Sequence, residues 1–255
     1  MEAMEEKKAH LFSNRDLRRL IAPMIIEQLL AILVGMSDSI MVASVGEHAV
    51  SGVSLVDNIF ILLIYLFAAL ATGGAVVAGQ YLGQNNREKA RASVNQLILF
   101  TALFSIFITV LIYLARSFIL HNVFGHIEAD VMEAAKIYLV VVSASIPFIA
   151  LYNAGAAVFR SMGNSKVPMY MSFLMNTINI CGNALLIFGF HIGVAGAAVS
   201  TLVSRIIAGV GILILLRAPG LVLGLDKPFS FRLDGAMLKK IAYIGVPNGL
   251  ENGMF

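Results

Sequence analysis

Apolar residues in this chain gather into long runs separated by short polar segments. Six runs, 20–45, 49–72, 94–115, 133–159, 167–189 and 194–216, reach the roughly 20 residues that a helix needs to cross the hydrocarbon core of a bilayer. The second can continue as a helix through Tyr81 toward Gly83. A seventh run starts near Ile241 and is cut off at Phe255. The pattern predicts an all-α integral membrane protein: a six-helix transmembrane bundle followed by the start of a seventh helix.

Lys and Arg set the orientation of such a bundle, because cytoplasmic connections carry the excess. Lys7, Lys8, Arg15, Arg18 and Arg19 precede the first run, and Arg87, Lys89 and Arg91 follow the second. Arg160 and Lys166 follow the fourth, and Arg217, Lys227, Arg232, Lys239 and Lys240 follow the sixth. These connections hold fifteen of the eighteen basic residues, whereas 46–48 and 190–193 hold none. A multi-pass protein of the cell membrane with a cytoplasmic N-terminus is expected. Residues 1–19 lack the short apolar core and cleavage site of a signal peptide and read as a retained cytoplasmic tail. Residues 20–216 then form the transmembrane lobe, 217–240 a cytoplasmic linker and 241–255 the start of a second lobe.

A repeat supports the second lobe. Leu17-Arg18-Arg19-Leu20 followed by Pro23 and Glu27 is echoed by Leu238-Lys239-Lys240-Ile241 followed by Pro247 and Glu251, with three extra residues before the second proline. An even number of spans between copies makes them parallel, as in transporters built from two like halves. The natural protein would then have about twelve helices, and this chain reads as a fragment that stops at the threshold of its second half.

Composition changes the picture little. With 59% hydrophobic and 13% charged residues, against roughly half and a quarter in soluble domains, and a mean hydropathy of +0.87, a soluble fold is excluded. The net charge of +3 and pI near 9.0 come from residues placed between membrane spans, so no nucleic-acid partner is implied. Cys181 is the only cysteine, which excludes a disulfide framework and a cysteine-based metal site.

Ionisable groups inside spans are costly and mark function by default. At about 1.5 Å per residue, Asp38 lies about 10 Å below the outer end of its span and Asp57 about 12 Å below the same face. Asn183, Asn179 and Thr201 fall at about 9, 15 and 10 Å. Oxygen-bearing side chains from four helices thus share one layer, with Asn179 and Asn183 stacked one turn apart. A carboxylate among amide and hydroxyl oxygens suits a hard cation such as sodium, and a proton can neutralise the same carboxylate. Asp57 reads equally as a hydrated interfacial residue, and Asn and Thr also serve simply to hold helices together.

Glu27 lies about 10 Å from the cytoplasmic end of its span, where gating and snorkelling are equally open, and Glu251 shares that ambiguity. Arg205, mid-span, either lines a polar cavity or snorkels inward. Gly196, Ser200, Ser204 and Ala208 form a small-residue ladder for close helix packing. Pro147 is expected to kink the fourth span. Twelve scattered methionines would suit a promiscuous cavity or ordinary packing.

Four segments carry a family resemblance. Residues 23–42, PMIIEQLLAILVGMSDSIMV, resemble the first helix of the multidrug and toxic compound extrusion (MATE) family, and 73–83, GGAVVAGQYLG, the end of its second. Residues 176–189, NTINICGNALLIFG, and 193–205, GVAGAAVSTLVSR, are similar to its fifth and sixth helices. The resemblance implies one lobe of a V-shaped, twelve-helix exporter that exchanges a proton or sodium ion for an organic cation or other amphipathic drug. It implies a cation site at Asp38, Asn179, position 183 and Thr201, with no cofactor beyond the coupling ion. Asn183 stands where the family often has a second aspartate, which lowers the negative charge of the site.

The rival readings are a lipid-linked saccharide flippase of the same superfamily, an intramembrane enzyme and a non-transporting scaffold. A flippase usually lines its cavity with several basic residues, and only Arg205 is available. An enzyme would need a nucleophile–base or metal-binding set within the spans, and no His or Cys pair is present there. A scaffold leaves the shared polar layer unexplained.

Overall fold

The structure, a computed structural model, describes residues 14–225 and 229–254. All regular elements among them are helices: α1 (Asn14–Ala43), α2 (Glu47–Gly83), α3 (Arg87–Phe118), α4 (Ala129–Ser143), α5 (Ile146–Ser161), α6 (Lys166–Asn183), α7 (Val194–Leu216) and α8 (Gly235–Met254). α3 runs on into a π-helical turn at Ile119–Val123, and α6 into another at Ala184–Gly189. An all-α membrane bundle is what the apolar runs predict. α2 does extend past Thr72 to Gly83, and its Tyr81 hydroxyl accepts a hydrogen bond from Lys240 at 2.7 Å.

One predicted span is two helices. The fourth run becomes α4 and α5, bent by 50° at Ala144 and Ser145. Pro147 lies in the first turn of α5, where it has no N–H to continue the ladder and its ring clashes with the preceding turn. Ser145 takes up the break, returning both its amide (2.9 Å) and its hydroxyl (2.6 Å) to the Val142 carbonyl.

α5 is central and packs on α2, α3 and α7, while α6 packs on α7, α1 on α6 and α8 on α2. Small residues allow these approaches. A Cβ at Gly73 of α2 would lie 2.5 Å from the Ile241 carbonyl of α8, and one at Gly182 of α6 would lie 2.8 Å from the Ser200 hydroxyl of α7. The ladder Gly196, Ser200, Ser204 and Ala208 is buried along its length, with Gly196 against Leu186.

The two ends of the bundle are distinct. At one end the α1–α2 and α6–α7 turns meet, with Val45 3.4 Å from a Cβ built at Gly193. At the other, the Arg91 guanidinium donates to the carbonyls of Leu221 (3.0 Å) and Val222 (3.2 Å). Gln96 donates to the Arg232 carbonyl at 2.6 Å and accepts from the Asp234 amide at 2.9 Å, so α3 holds both parts of the segment leading to α8.

α1 is the least embedded span, with only 6% of its most apolar window buried. Its less exposed positions are Pro23, Glu27, Leu30, Val34, Ser37, Asp38, Met41 and Val42. That three-to-four spacing is a single helical stripe, and both acidic residues of the α1 span lie on it.

Gly73→Leu in the full-length protein should lower the thermal midpoint in detergent by the equivalent of about 1–3 kcal/mol of overpacking. Gly79→Leu, with no heavy atom within 4 Å of its Cβ position, should leave the midpoint unchanged. Equal shifts in the two variants would contradict the close α2–α8 contact.

Candidate functional site

Asp38 is carried on the inward stripe of α1 and meets the asparagine face of α6. The Asn183 amide donates to Asp38 Oδ1 at 2.6 Å. Asn179 is one turn away, and its best amide orientation points the nitrogen at Asp38, 2.7 Å from Oδ1 and 3.2 Å from Oδ2. Its oxygen then accepts from the Thr201 hydroxyl of α7 at 3.2 Å. The opposite orientation would set the amide oxygen against the carboxylate. Amide orientation follows from such networks, and here only one choice satisfies every partner. The close Gly182–Ser200 contact brings α7 near enough for Thr201 to reach this group.

Asn183 Oδ1 is buried and has no hydrogen-bond partner. Asn183 lines a small polar cavity, about 90 Å³, together with Asp38, Asp57, Tyr138 and Thr201. Asp57 of α2 therefore faces inward, on the same cavity wall as Tyr138 of α4. Arg205 of α7 donates to Ser145 Oγ at 2.9 Å, in the break between α4 and α5. It interacts electrostatically with Asp57 and Asp38, so it turns into the bundle and does not snorkel toward the cytoplasm.

Tyr138 and Ser145 have no counterpart among the sequence-derived candidates. Tyr138 lies in an apolar run and carries no local signal. Ser145 does have one, two residues before Pro147, where a freed backbone attracts a hydroxyl. Ser54, also on the cavity wall, is three residues before Asp57 and so shares its helix face.

The MatE family model matches residues 23–185, which is more than half of the chain. The chain belongs to the MatE family. It is 30% identical over 234 residues to the uncharacterized transporter YisQ of Bacillus subtilis, covering 90% of this chain and 50% of that protein. Against the probable multidrug resistance protein NorM of Thermotoga maritima it is 29% identical over 254 residues, covering 95% and 52%. A solved outward-facing multidrug resistance MATE family transporter superposes with a TM-score of 0.83 at 24% identity, covering 92% of this chain and 52% of that one, which shows a shared fold. The chain spans about half the length of the curated relatives it matches. MatE is a family of membrane transporters and not of enzymes.

In this MatE chain Glu27 forms a separate cluster. Arg160 Nη1 of α5 approaches its two carboxylate oxygens at 3.0 and 3.2 Å, and the Tyr152 hydroxyl donates to Oε1 at 3.0 Å. The eleven-residue step from Glu27 to Asp38 spans about 16 Å, so the structure does not bring Glu27 into the Asp38 cavity. The Glu251 side chain lies outside the described residues.

The side chains of Glu27 and Arg160 are 16% and 30% exposed, so their mutual attraction is only partly screened. Glu27→Gln and Arg160→Met should each destabilise the full-length protein, and the double variant by less than their sum, with a coupling of about 1 kcal/mol. Additive shifts in unfolding midpoint would show that the ion pair does not tie α1 to α5.

Proposed function

We propose that this chain is the cation-binding half of an antiporter that exports amphipathic or cationic small molecules in exchange for a sodium ion or a proton, by alternating access. One observation carries the reading: Asn183, whose amide nitrogen holds the Asp38 carboxylate and whose buried Oδ1 has no partner, lines a polar cavity with Asp38 within the transmembrane bundle.

Oxygen ligands suit hard cations, and the Asp38 carboxylate, Asn183 Oδ1 and Thr201 Oγ1 supply three around one small cavity. A half-turn of the Asn179 side-chain amide would exchange its donor for an oxygen and add a fourth. The same orphan oxygen serves a proton equally well, because a protonated Asp38 carboxyl becomes a donor and Asn183 Oδ1 can accept from it. Without a cation the amide nitrogens hold the carboxylate; with one bound, that hold is replaced.

Loss of the hold frees the outer half of α1, since little apolar packing fixes that helix. Pro23 leaves one carbonyl of the preceding turn without its helical partner and makes a bend there inexpensive. Cation binding would thereby repack α1, weaken substrate binding and let substrate leave outward while the ion moves in. The substrate class follows the relatives' names, multidrug resistance protein among them. Arg205 does not favour a flippase cavity, because its guanidinium is engaged with Ser145.

Asp38→Asn in the full-length protein should reduce ion-driven dye efflux to the level of cells lacking the transporter, with normal amounts of protein in the membrane. Unchanged efflux driven by either ion gradient would sink the assignment.

On this reading the basic connections face the cytoplasm. In a Cys181→Ser background, His48→Cys should react with a membrane-impermeant thiol reagent on intact cells, and Glu88→Cys only after permeabilisation. The reverse pattern would invert the topology.

A further inference from the structure

α3 and α7 both pack on α5 without forming a packed pair of their own, and a furrow of about 370 Å³ opens between them. Leu151 of α5 forms its floor, Ala102 of α3 and Val210 and Ile214 of α7 its walls, and Phe229 and Phe231 close one end. At the roughly 30 Å³ that a small group occupies in a liquid, it holds about a dozen methylene-sized groups. α8, which leads out of the bundle, packs chiefly on α2 and only lightly on α3. Leu103 and Ile106 of α3, and Val203 and Ile207 of α7, carry the furrow onward as exposed apolar surface. In a membrane span such surface meets hydrocarbon.

The closed end is basic. Arg217 caps α7 and lines the furrow beside Phe229 and Phe231. It is exposed, and among the described residues no hydrogen bond or ion pair engages its guanidinium. Arg91 stands nearby, but its guanidinium is committed to the Leu221 and Val222 carbonyls. An apolar slot open to hydrocarbon, ending at a guanidinium with no partner among the described residues, on the side of the bundle where the basic residues gather, has the shape and charge of an anionic phospholipid. Basic pockets between helices on the cytoplasmic side bind such headgroups.

We propose that this furrow binds one anionic phospholipid of the cytoplasmic leaflet, with an acyl chain along Ala102, Leu151 and Val210 and the phosphate on Arg217. The bound lipid presses on Phe229 and Phe231, and so braces the segment that Arg91 and Gln96 hold against α3. The proposal does not depend on which ion or substrate is transported.

Native mass spectrometry of the full-length protein, titrated with dioleoyl phosphatidylglycerol or dioleoyl phosphatidylcholine, tests it. One phosphatidylglycerol should bind roughly five- to tenfold more tightly than phosphatidylcholine, the contribution of one basic residue near a lipid headgroup. Arg217→Gln, at an exposed position, should remove that preference, and Ala102→Phe or Val210→Phe should weaken both lipids by filling the slot. Glycerol 3-phosphate, which has the headgroup charge and no chain, should not displace the lipid. A preference retained in Arg217→Gln, lipid binding unchanged in both filled variants, or displacement by glycerol 3-phosphate at lipid-like concentrations would each overturn the proposal.

Discussion

A carboxylate inside a bilayer has to be met by donors or a cation, and α1 carries two carboxylates on its one inward stripe. Glu27 is met by Arg160 and Tyr152, and Asp38 by the amides of Asn183 and Asn179. Hydrocarbon is as apolar as Leu, so the exposed Ile, Leu and Met side chains of α1 gain little by moving from lipid into the bundle. The polar contacts therefore decide where α1 sits, and they do so at two levels about 16 Å apart along its axis. A helix held in this way responds to a change of charge at either level far more than one fixed by interdigitated side chains.

The rest of the bundle serves those contacts through departures from regular helix. The π-helical turn at Ala184–Gly189 begins directly after Asn183, as such turns often do at functional positions. At the break at Ala144 and Ser145, the Ser145 hydroxyl donates to the Val142 carbonyl and at the same time accepts from Arg205, tying α7 to the bend. The close α6–α7 contact at Gly182 and Ser200 places Thr201 beside Asn179. Behind these polar groups, apolar packing is dense in two layers, one around Leu97, Phe159 and Ile212 and the other around Val56, Phe67 and Leu139. Those layers keep the asparagine face of α6 fixed while α1 remains lightly embedded.

The spans and the direction of α2 past Thr72 were legible in the sequence because length and hydropathy are one-dimensional quantities. Depth is also one-dimensional, which is why Asp38, Asn179, Asn183, Thr201 and Asp57 can be ranked along the membrane normal from residue counts alone. Which way a side chain points around its helix is not contained in that count. Arg205 shows the difference, since snorkelling and cavity lining were equally open until α5 and α7 were seen packed together. Tyr138 was hidden because Asp57, with which it shares the cavity wall, belongs to another helix. The division of the fourth span needed only Pro147 and the serines before it, but a proline reports a break without reporting its angle. The Arg160 partner of Glu27 was hidden because it follows the fourth apolar run, where a basic residue reads as an orientation signal, although the structure places it in the last turn of α5.

Charge bookkeeping sharpens the proposed ion site. Asp38, Asp57 and Arg205 act on one another, and an arginine stays protonated in proteins, so with both carboxylates ionised the group carries one uncompensated negative charge. Arg205 acts on both, and the hydrogen-bond partners of Asp38 are neutral amides. Neutral donors satisfy lone pairs without cancelling charge, so the amides leave the Asp38 charge uncancelled. With asparagine at position 183 no further carboxylate adds to it. On the proposed reading one monovalent cation, sodium or a proton, would balance the site, whereas a divalent cation would leave a buried positive excess that the bilayer penalises. The charge that would attract an ion on the proposed reading is thus the same one that holds α1 to α6, which is why that reading couples ion binding to the position of α1.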